Sequence, residues 1–410
     1  MDRKLFHLID EATNHHAAPL HAASQTDDDV PELSVPWELS FSTLKAGLSA
    51  GVDVLKVRLG EVEFQILPTR GMGLWKGNVA GFPVEWKSPV TRPVHPSFVN
   101  LHDRGGLGWL HGFNELLCRC GLGFNGPPGN DAGQVVTLHG RIANLPAHSL
   151  RVEVSAAERT ISVMGIVDEL SMFGDCYRLQ TTYTFRAGFS GIEIHDLITN
   201  LSGHDVPLSL LYHLNIGKPF LAPGAQLHVP FHTMAPRDAT AAAGVSTWPT
   251  YLGPTARYAE EAYFFDPIAD ECGQSLALLV PPVDSVGEVQ TGAAHDPLAL
   301  AVRFDRSSLP WFTVWKNTCD EATGYVTGLE PAVNLPNFRG FERSQGRLPA
   351  IAPSGSYDTH FSLEVLTQQQ DIDTAIARIR GLQEQSPGVI HPAPKPGWSP
   401  NIIENTALEN

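Results

Sequence analysis

The sequence predicts an all-β protein. Three observations favour this class: short runs in which apolar and polar residues alternate, turn residues between those runs, and few segments with helical spacing. Alternation with a period of two is typical of strands that bury one face. The 410 residues include 37 Gly and 32 Pro. Short strands separated by so many turn residues indicate a sandwich or a barrel.

The first part of the chain is less regular than the rest. Residues 1–34 predict an N-terminal extension, in which the residues before Pro19 could form a short helix and an acidic loop follows. From residue 35 to residue 368 the strand pattern dominates, and we interpret this region as a single domain. The alternating runs within it are 52–59, 61–67, 150–154, 160–166, 178–185, 191–198 and 356–366.

The last segment, residues 369–410, predicts a short helix and a Pro-rich C-terminal tail. Residues 371–380 have helical spacing with an acidic start and a basic end, which suits a helix packed on the outside of the domain. From Ser386 onward the chain is rich in proline, as an extended arm or a disordered tail would be.

Composition and charge exclude several classes of partner. The chain is 42% hydrophobic and 18% charged, with a net charge of −16 and no basic cluster, which argues against nucleic acid and anionic membranes. The N-terminus does not resemble a secretion signal, and no stretch is long and apolar enough to span a bilayer. The five cysteines are sparse and odd in number, so we expect a reducing, cytoplasmic location.

Several short segments match known functional motifs but lack the structural context that those motifs need. Residues 121–126 fit the dinucleotide-binding pattern, but two prolines follow at once and no helix opens there. Residues 47–51 fit a nucleophile elbow without the strand-to-helix setting that it needs. The 17 histidines include no His-x-His pair, although distant residues could still meet at a metal. We therefore predict no cofactor and no metal.

Three segments carry the residues that a proton-transfer site needs. They are Leu138-His139-Gly140, His213 within residues 211–215, and Glu330, which directly precedes Pro331 after a strand-like run. A carboxylate and two imidazoles can take a proton from one oxygen and deliver a proton to another.

In this order, the three segments resemble the aldose 1-epimerase (galactose mutarotase) superfamily. Further segments, which lie between residues 35 and 366, resemble its DUF4432 or aldose 1-epimerase-like branch: residues 67–72, 86–89, 119–122, 139–147 and 314–316. The resemblance implies a galactose mutarotase-like β-supersandwich of antiparallel strands. It also implies that Glu330 is the general base, that His213 is the acid at the ring oxygen, and that His139 holds the sugar.

The resemblance also suggests residues that would bind the substrate. Candidates for the sugar-binding arginine of the family are Arg70, Arg119 and Arg141, and its aspartate would fall near Asp266 or Asp270. Other residues would bind sugar hydroxyls, keep Glu330 ionised or stack on the sugar. These candidates are Arg70, Arg141, Lys316, Trp315 and Asn215, with Trp75 and Trp109 as alternative stacking residues.

The leading hypothesis is a cofactor-independent sugar mutarotase that acts on a small-molecule sugar. One alternative is a carbohydrate-binding protein on the same fold without turnover. A second is a hydrolase or lyase, which normally needs two carboxylates beside the bond, and Glu115 or Asp103 could supply the second one. A homodimer built on a long strand edge is left open.

Overall fold

The computed structural model describes residues 2–27, 29–283 and 297–400, and strands dominate these ranges. The strands are β1 (Arg3–Asp10), β2 (His15–His16), β3 (Leu20–Ala23), β4 (Trp37–Thr43), β5 (Asp53–Leu59), β6 (Val62–Leu67), β7 (Gly73–Val79), β8 (Phe82–Val84), β9 (Leu117–Leu122), β10 (Gly129–Asp131), β11 (Gln134–Val136), β12 (Ser149–Ser155), β13 (Thr160–Glu169), β14 (Tyr177–Arg186), β15 (Gly191–Asn200), β16 (Val206–Pro207), β17 (Ser209–Ile216), β18 (Gln226–His228), β19 (Phe231–Pro236), β20 (Glu261–Pro267), β21 (Gln274–Val280), β22 (Ala299–Asp305), β23 (Trp311–Asn317), β24 (Val326–Ala332), β25 (Ala350–Ile351), β26 (Ser356–Leu366) and β27 (Val389–Ile390). The helices are α1 (Asp103–Gly106), α2 (Ala239–Ala243), α3 (Arg339–Ser344) and α4 (Gln369–Glu384), and short 3-10 turns occur at Glu11–Thr13, Gly47–Ser49, Pro96–Phe98, Gly108–His111, Ile142–Asn144 and Val245–Thr247.

Two large sheets contain nearly all of these strands, which confirms the all-β prediction. The back sheet has ten strands in the order β18-β21-β22-β26-β15-β14-β13-β12-β1-β2. The front sheet has thirteen, in the order β27-β19-β20-β23-β24-β17-β9-β7-β6-β5-β4-β3, with β8 paired to β7. Neighbouring strands run antiparallel, except that β27 lies parallel to β19.

The main core lies between the two sheets, and alternation along the front strands separates it from the opposite face. On β17, Tyr212 and Leu214 belong to the main core, together with residues of the back sheet such as Val163. Leu211, on the other face of β17, belongs to a separate apolar cluster. Because β17 is buried on both faces, its sequence reads as a nearly continuous apolar run.

The N-terminal residues depart from the prediction. The helix expected before Pro19 is wrong: β1 pairs with β12 at the back sheet, and β3 pairs with β4 at the front sheet. Pairing with β12 satisfies the backbone of β1, and its residue Leu8 enters the main core. Residues 3–23 therefore supply strands to both sheets.

At the C-terminal end, the predicted helix is confirmed as α4. Its buried face, which includes Ile372 and Ile379, packs on Leu276 and Leu278 of β21. Residues 386–400, here called the C-terminal arm, then return to the front sheet through β27. Trp398 of the arm is 7% exposed, and its ring lies edge-on to Trp311 with 5.1 Å between centroids. The arm therefore packs on the domain as far as residue 400, where the described part of the tail ends.

Across the described ranges, no helix combines the length and the apolar character that crossing a bilayer requires. All five cysteines are free thiols.

Candidate active site

A cleft of about 1140 Å³ opens on the face of the front sheet that points away from the main core. Its lining includes Glu330 from β24, His213 from β17, Trp315 from β23 and His139 from the loop after β11. Pockets for small ligands commonly measure about 300–1,000 Å³, so this cleft has room for a sugar. The three predicted catalytic-site residues, Glu330, His213 and His139, therefore converge, although 74 and 117 positions separate them along the chain.

Strand register brings Glu330 and His213 together. Leu211 pairs with Ala332 and Leu214 with Leu329, so His213 lies opposite Glu330 on adjacent strands. His213 Nε2 and Glu330 Oε1 are 3.3 Å apart. This contact is not a hydrogen bond in the structure, and Oε1 has no hydrogen-bond partner among the described residues. The two side chains are 8% and 4% exposed, which leaves them reachable only from the cleft.

A buried amide orients the imidazole of His213. Asn215 Oδ1 accepts from His213 Nδ1 at 2.8 Å, while Asn215 Nδ2 donates to the carbonyl oxygens of Glu115 and His213. These two donations determine which way the amide points, so Nδ1 carries the proton and Nε2 faces Glu330. Burial lowers the pKa of His213 to about 3, with a further contribution from His139 nearby.

The carboxyl group of Glu330 occupies space that only glycine leaves free. A Cβ at Gly328 would lie well inside contact distance of Glu330 Oε1, and 3.2 Å from Trp315 Cβ. Burial raises the pKa of Glu330 well above its usual value. Arg237 opposes this shift, and Glu260 adds to it.

The loop that carries His139 is held by its own backbone. The backbone N–H of His139 donates to Gly126 O at 3.0 Å, and the backbone carbonyl of His139 accepts from Gly121 N–H at 3.1 Å. His139 and Gly140 both have left-handed φ values, 58° and 72°. A Cβ at Gly140 would collide with the carbonyls of Phe124 and Gly121, so the glycine of the Leu-His-Gly segment is required by space as well as by φ.

The ring of His139 is oriented much as that of His213 is. His139 Nδ1 donates to Asn125 O at 2.8 Å, which leaves Nε2 as an acceptor in the neutral ring. Burial lowers the pKa of His139 to about 4. The centroids of the two imidazoles are 5.6 Å apart, close enough for both to contact one small ligand.

Aromatic rings surround the two histidines. Trp109 lies 4.7 Å from His139, and Phe113 and Trp315 lie 5.1 Å and 5.4 Å from His213, measured between ring centroids. Such rings offer apolar faces on which the C–H face of a sugar can pack. Trp315 therefore lies where substrate binding was predicted, and Trp109 shares that position.

The expected roles of Arg70 and Arg119 in substrate binding do not agree with their positions. The Arg70 side chain is 1% exposed, pairs with Glu115 at 2.5 Å, and donates to Asn144 and to two backbone carbonyls. Arg119 lies on the core side of β9, where Nε contacts Asp196 of the back sheet at 2.5 Å. Neither lines the cleft, and both stabilise buried parts of the fold.

Lys316, Arg141 and Asn215 are also absent from the cleft wall. Lys316 follows Trp315 and so points to the opposite face, where Nζ donates to Trp248 O at 3.1 Å and Thr250 O at 2.8 Å. Arg141 is exposed beyond the loop of His139. Asn215 lies behind His213 and orients the imidazole ring. The prediction that Asn215 contacts the substrate is therefore wrong.

The cation that does line the cleft is Arg237, which the sequence analysis missed. It precedes α2 and lies beside the carboxylates Asp238 and Glu260, which also line the cleft. No short motif marks these residues, because each lies at the end of a strand or in a loop. The aspartates expected from the resemblance lie elsewhere, since Asp266 pairs with Arg306 and Asp270 with Arg378.

Within the described part of the chain, no group of three or more His, Cys, Asp or Glu side chains is arranged to hold a metal ion.

The two-sheet antiparallel sandwich places this protein in the galactose mutarotase-like fold class. Comparison with known proteins agrees with this class. The sequence profile described as a domain of unknown function, DUF4432, matches residues 49–365. The chain therefore belongs to the DUF4432 family.

Solved structures share the fold. A Klebsiella pneumoniae protein, provisionally named an aldose 1-epimerase, is 30% identical, with a TM-score of 0.88 over 95% of this chain and 98% of that chain. A galactose mutarotase-like protein from Clostridium acetobutylicum is 13% identical, with a TM-score of 0.53 over 80% of this chain and 98% of that one. An Escherichia coli K12 protein, also provisionally named an aldose 1-epimerase, is 14% identical, with a TM-score of 0.50 over 78% of this chain and 100% of that one. A comparison with curated proteins gave no match.

Proposed function

We propose that this protein interconverts the anomers of a sugar by general acid–base catalysis. The observation that carries the proposal is the 3.3 Å approach of His213 Nε2 to Glu330 Oε1 at the wall of an aromatic cleft. Opening a pyranose ring removes a proton from the anomeric hydroxyl and adds one to the ring oxygen. The bond between C1 and the ring oxygen breaks in the same step, and rotation about C1–C2 lets the ring close on its other face. The reaction transfers no electrons or groups to another molecule, so it requires no cofactor.

In the reactive form of the pair, the single proton has moved from Glu330 to His213 Nε2. Glu330 then takes the proton from the anomeric hydroxyl, and His213 delivers its proton to the ring oxygen. A carboxylate whose pKa is raised is a stronger base, and an imidazolium whose pKa is lowered is a stronger acid, so burial favours both transfers. Ring closure on the other face uses the same groups in reverse. His139 hydrogen-bonds the sugar through Nε2, and Trp315 and Trp109 pack against its apolar face.

The two alternatives receive less support. A hydrolase would need a second carboxylate beside the bond. Glu115 is fully buried against Arg70, and Asp103 lies on the surface outside the cleft. Asp238 and Glu260 do line the cleft, but both carboxylates already accept hydrogen bonds from Arg237. A protein that only binds sugar does not need two ionisable groups whose pKa values are shifted in opposite directions, whereas acid–base catalysis uses both. We therefore favour turnover.

The proposal is tested by proton NMR exchange between anomers over a panel of common aldoses and ketoses. We expect the wild type to accelerate exchange of at least one sugar. Glu330→Gln should lower the catalysed rate by about 10²- to 10⁴-fold, the usual contribution of one acid–base group, while the affinity for the sugar is retained.

The control is Glu321→Gln, since Glu321 pairs with Lys218 on the surface outside the cleft. This variant should keep the wild-type rate. Wild-type exchange that survives in Glu330→Gln would refute the assignment of the base. A sugar that binds without any acceleration would instead favour the binding-protein alternative.

A further inference from the structure

One wall of the cleft carries a cluster of three charged residues. Within the described residues, Arg237 is the only lysine or arginine that lines the cleft. Its Nε donates to Asp238 Oδ2 at 2.8 Å, and its Nη2 donates to Glu260 Oε1 at 3.0 Å. Two carboxylates on one guanidinium leave this cluster with a net negative formal charge.

The cluster is attached to the wall that holds the candidate catalytic residues. Trp315 Nε1 donates to the second oxygen of Glu260, Oε2, at 2.7 Å. The ring of Trp315 lies 5.4 Å from that of His213. A sugar held between the histidines and Trp315 would therefore lie close to the carboxylate of Glu260.

Recognition of a phosphate or carboxylate on a sugar needs cationic donors that are free to turn toward it. The Arg237 donors named above already serve two carboxylates, and the excess negative charge repels a second anion. We propose that the Arg237–Asp238–Glu260 cluster selects neutral sugars against phosphorylated ones, with Glu260 as the specificity-determining residue. This inference rests on the proposed function, because it concerns the substrate of the same site.

Glu260 is the member of the cluster that can be changed with least effect on the fold. Asp238 also caps α2, because its Oδ1 accepts from Ala241 N–H at 2.9 Å. The Glu260 side chain is 50% exposed and has no comparable role in a helix. Glu260→Gln keeps the size of the side chain and an oxygen that can accept from Trp315, but it removes one negative charge.

The experiment measures affinity and anomer exchange for glucose, galactose and mannose and for their 6-phosphates. For the wild type, we expect the 6-phosphate to bind at least about tenfold more weakly than the neutral sugar, and added salt to narrow the gap by screening. In Glu260→Gln, the affinity for the 6-phosphate relative to that for the neutral sugar should rise by about tenfold. Added salt should change this relative affinity less than it does in the wild type.

Glu321→Gln is a matched control, because Glu321 is 49% exposed and lies outside the cleft. It should keep the wild-type ratio. A wild type that binds the 6-phosphate as well as the neutral sugar, or a ratio unchanged in Glu260→Gln, overturns charge selection. Exchange of both sugars without discrimination would refute this inference alone. Discrimination in binding without any exchange would support it and refute the proposed function.

Discussion

At the scale of single residues, the His213–Glu330 pair is best understood as two groups that share one proton. His213 Nδ1 is occupied by Asn215, so Nε2 presents a lone pair to Glu330 Oε1 when the ring is neutral. Two such acceptors at 3.3 Å repel each other unless a proton is present on one of them. Burial favours the uncharged form of each group, which keeps that proton on the carboxyl at rest.

This arrangement predicts the pH dependence of the reaction. We expect kcat/KM to fall as the pH rises through the raised pKa of Glu330, because the pair then loses the single proton that the reaction moves. Below that pH the rate should stay level until His213 takes up a second proton near its pKa of about 3. NMR exchange rates over a pH series, corrected for the uncatalysed reaction, provide the measurement.

Glu169 offers the control for this prediction. Burial raises its pKa to about 7, but it lies outside the cleft. Glu169→Gln should leave the pH profile unchanged. A rate that increases with pH through the titration of Glu330 would contradict the shared proton and make the free carboxylate the active form.

At the scale of elements, β24 combines a catalytic side chain with the space that it needs. Gly328 and Glu330 lie on the same face of the strand, two positions apart, and the carboxyl group folds over the glycine. Leu329, between them, points into the main core. Along this segment, Gly328 and Glu330 therefore face the cleft, and Leu329 faces the core.

Gly328→Ala should lower activity more than stability. The new Cβ would displace the Glu330 carboxylate, and an error of about 1 Å in a catalytic group can cost about 10²-fold in rate. The displaced atom is the end of a flexible side chain, so we expect the free energy of unfolding to fall by only about 1 kcal/mol. Exchange kinetics and a denaturant melt provide the two measurements.

Gly203→Ala is the matched control, because a Cβ at Gly203 meets nothing within 4 Å and the residue lies in a surface turn. It should change neither quantity. Wild-type kinetics in Gly328→Ala would mean that the position of the Glu330 carboxylate does not limit the reaction.

At the scale of the whole molecule, the cleft is completed by a segment far from the strands that carry the site. Pro394, Pro396 and Ser399 of the C-terminal arm line it. The arm is held by Trp398, whose carbonyl accepts from Asn337 Nδ2 at 2.9 Å and whose ring packs on Trp311. The arm contributes a wall, while the proton-transfer residues stay on β24 and β17.

Trp398→Ala should release this wall. Truncating a buried tryptophan costs about 3–5 kcal/mol, which is enough to detach a short arm that is docked on one side. We expect KM for the sugar to rise by about tenfold, or ~1.4 kcal/mol, with little change in kcat, because uniform binding is lost while the catalytic groups remain. Steady-state exchange kinetics test the split, and limited proteolysis reports release of the arm.

Val389→Ala serves as the control, since Val389 is 52% exposed and β27 pairs through its backbone. It should leave KM unchanged. A fall in kcat with constant KM in Trp398→Ala would place the arm in the chemistry instead of in binding.

The sequence by itself determined the all-β class and helix α4, and short segments that resemble a known family pointed to the three residues of the candidate site. Strand alternation and short motifs are local properties, so they can be read without knowing which strands meet. The same reasoning could not determine which arginine or lysine side chains line the cleft. Arg119 and Lys316 lie on strands that also face the cleft, but a shift of one residue along a strand turns the side chain to the opposite face of the sheet.

The tertiary structure decided which face of each strand meets the cleft and which distant groups surround Glu330. Tyr212, beside His213, pairs with Arg119 and shares its face, so the register that brings His213 to the cleft sends Arg119 into the core. Arg237 reaches the cleft from a loop without a motif, and β1 became a strand by pairing with β12, which lies more than a hundred residues away. Long-range pairing sets these contacts, because local propensity does not determine which strands become neighbours.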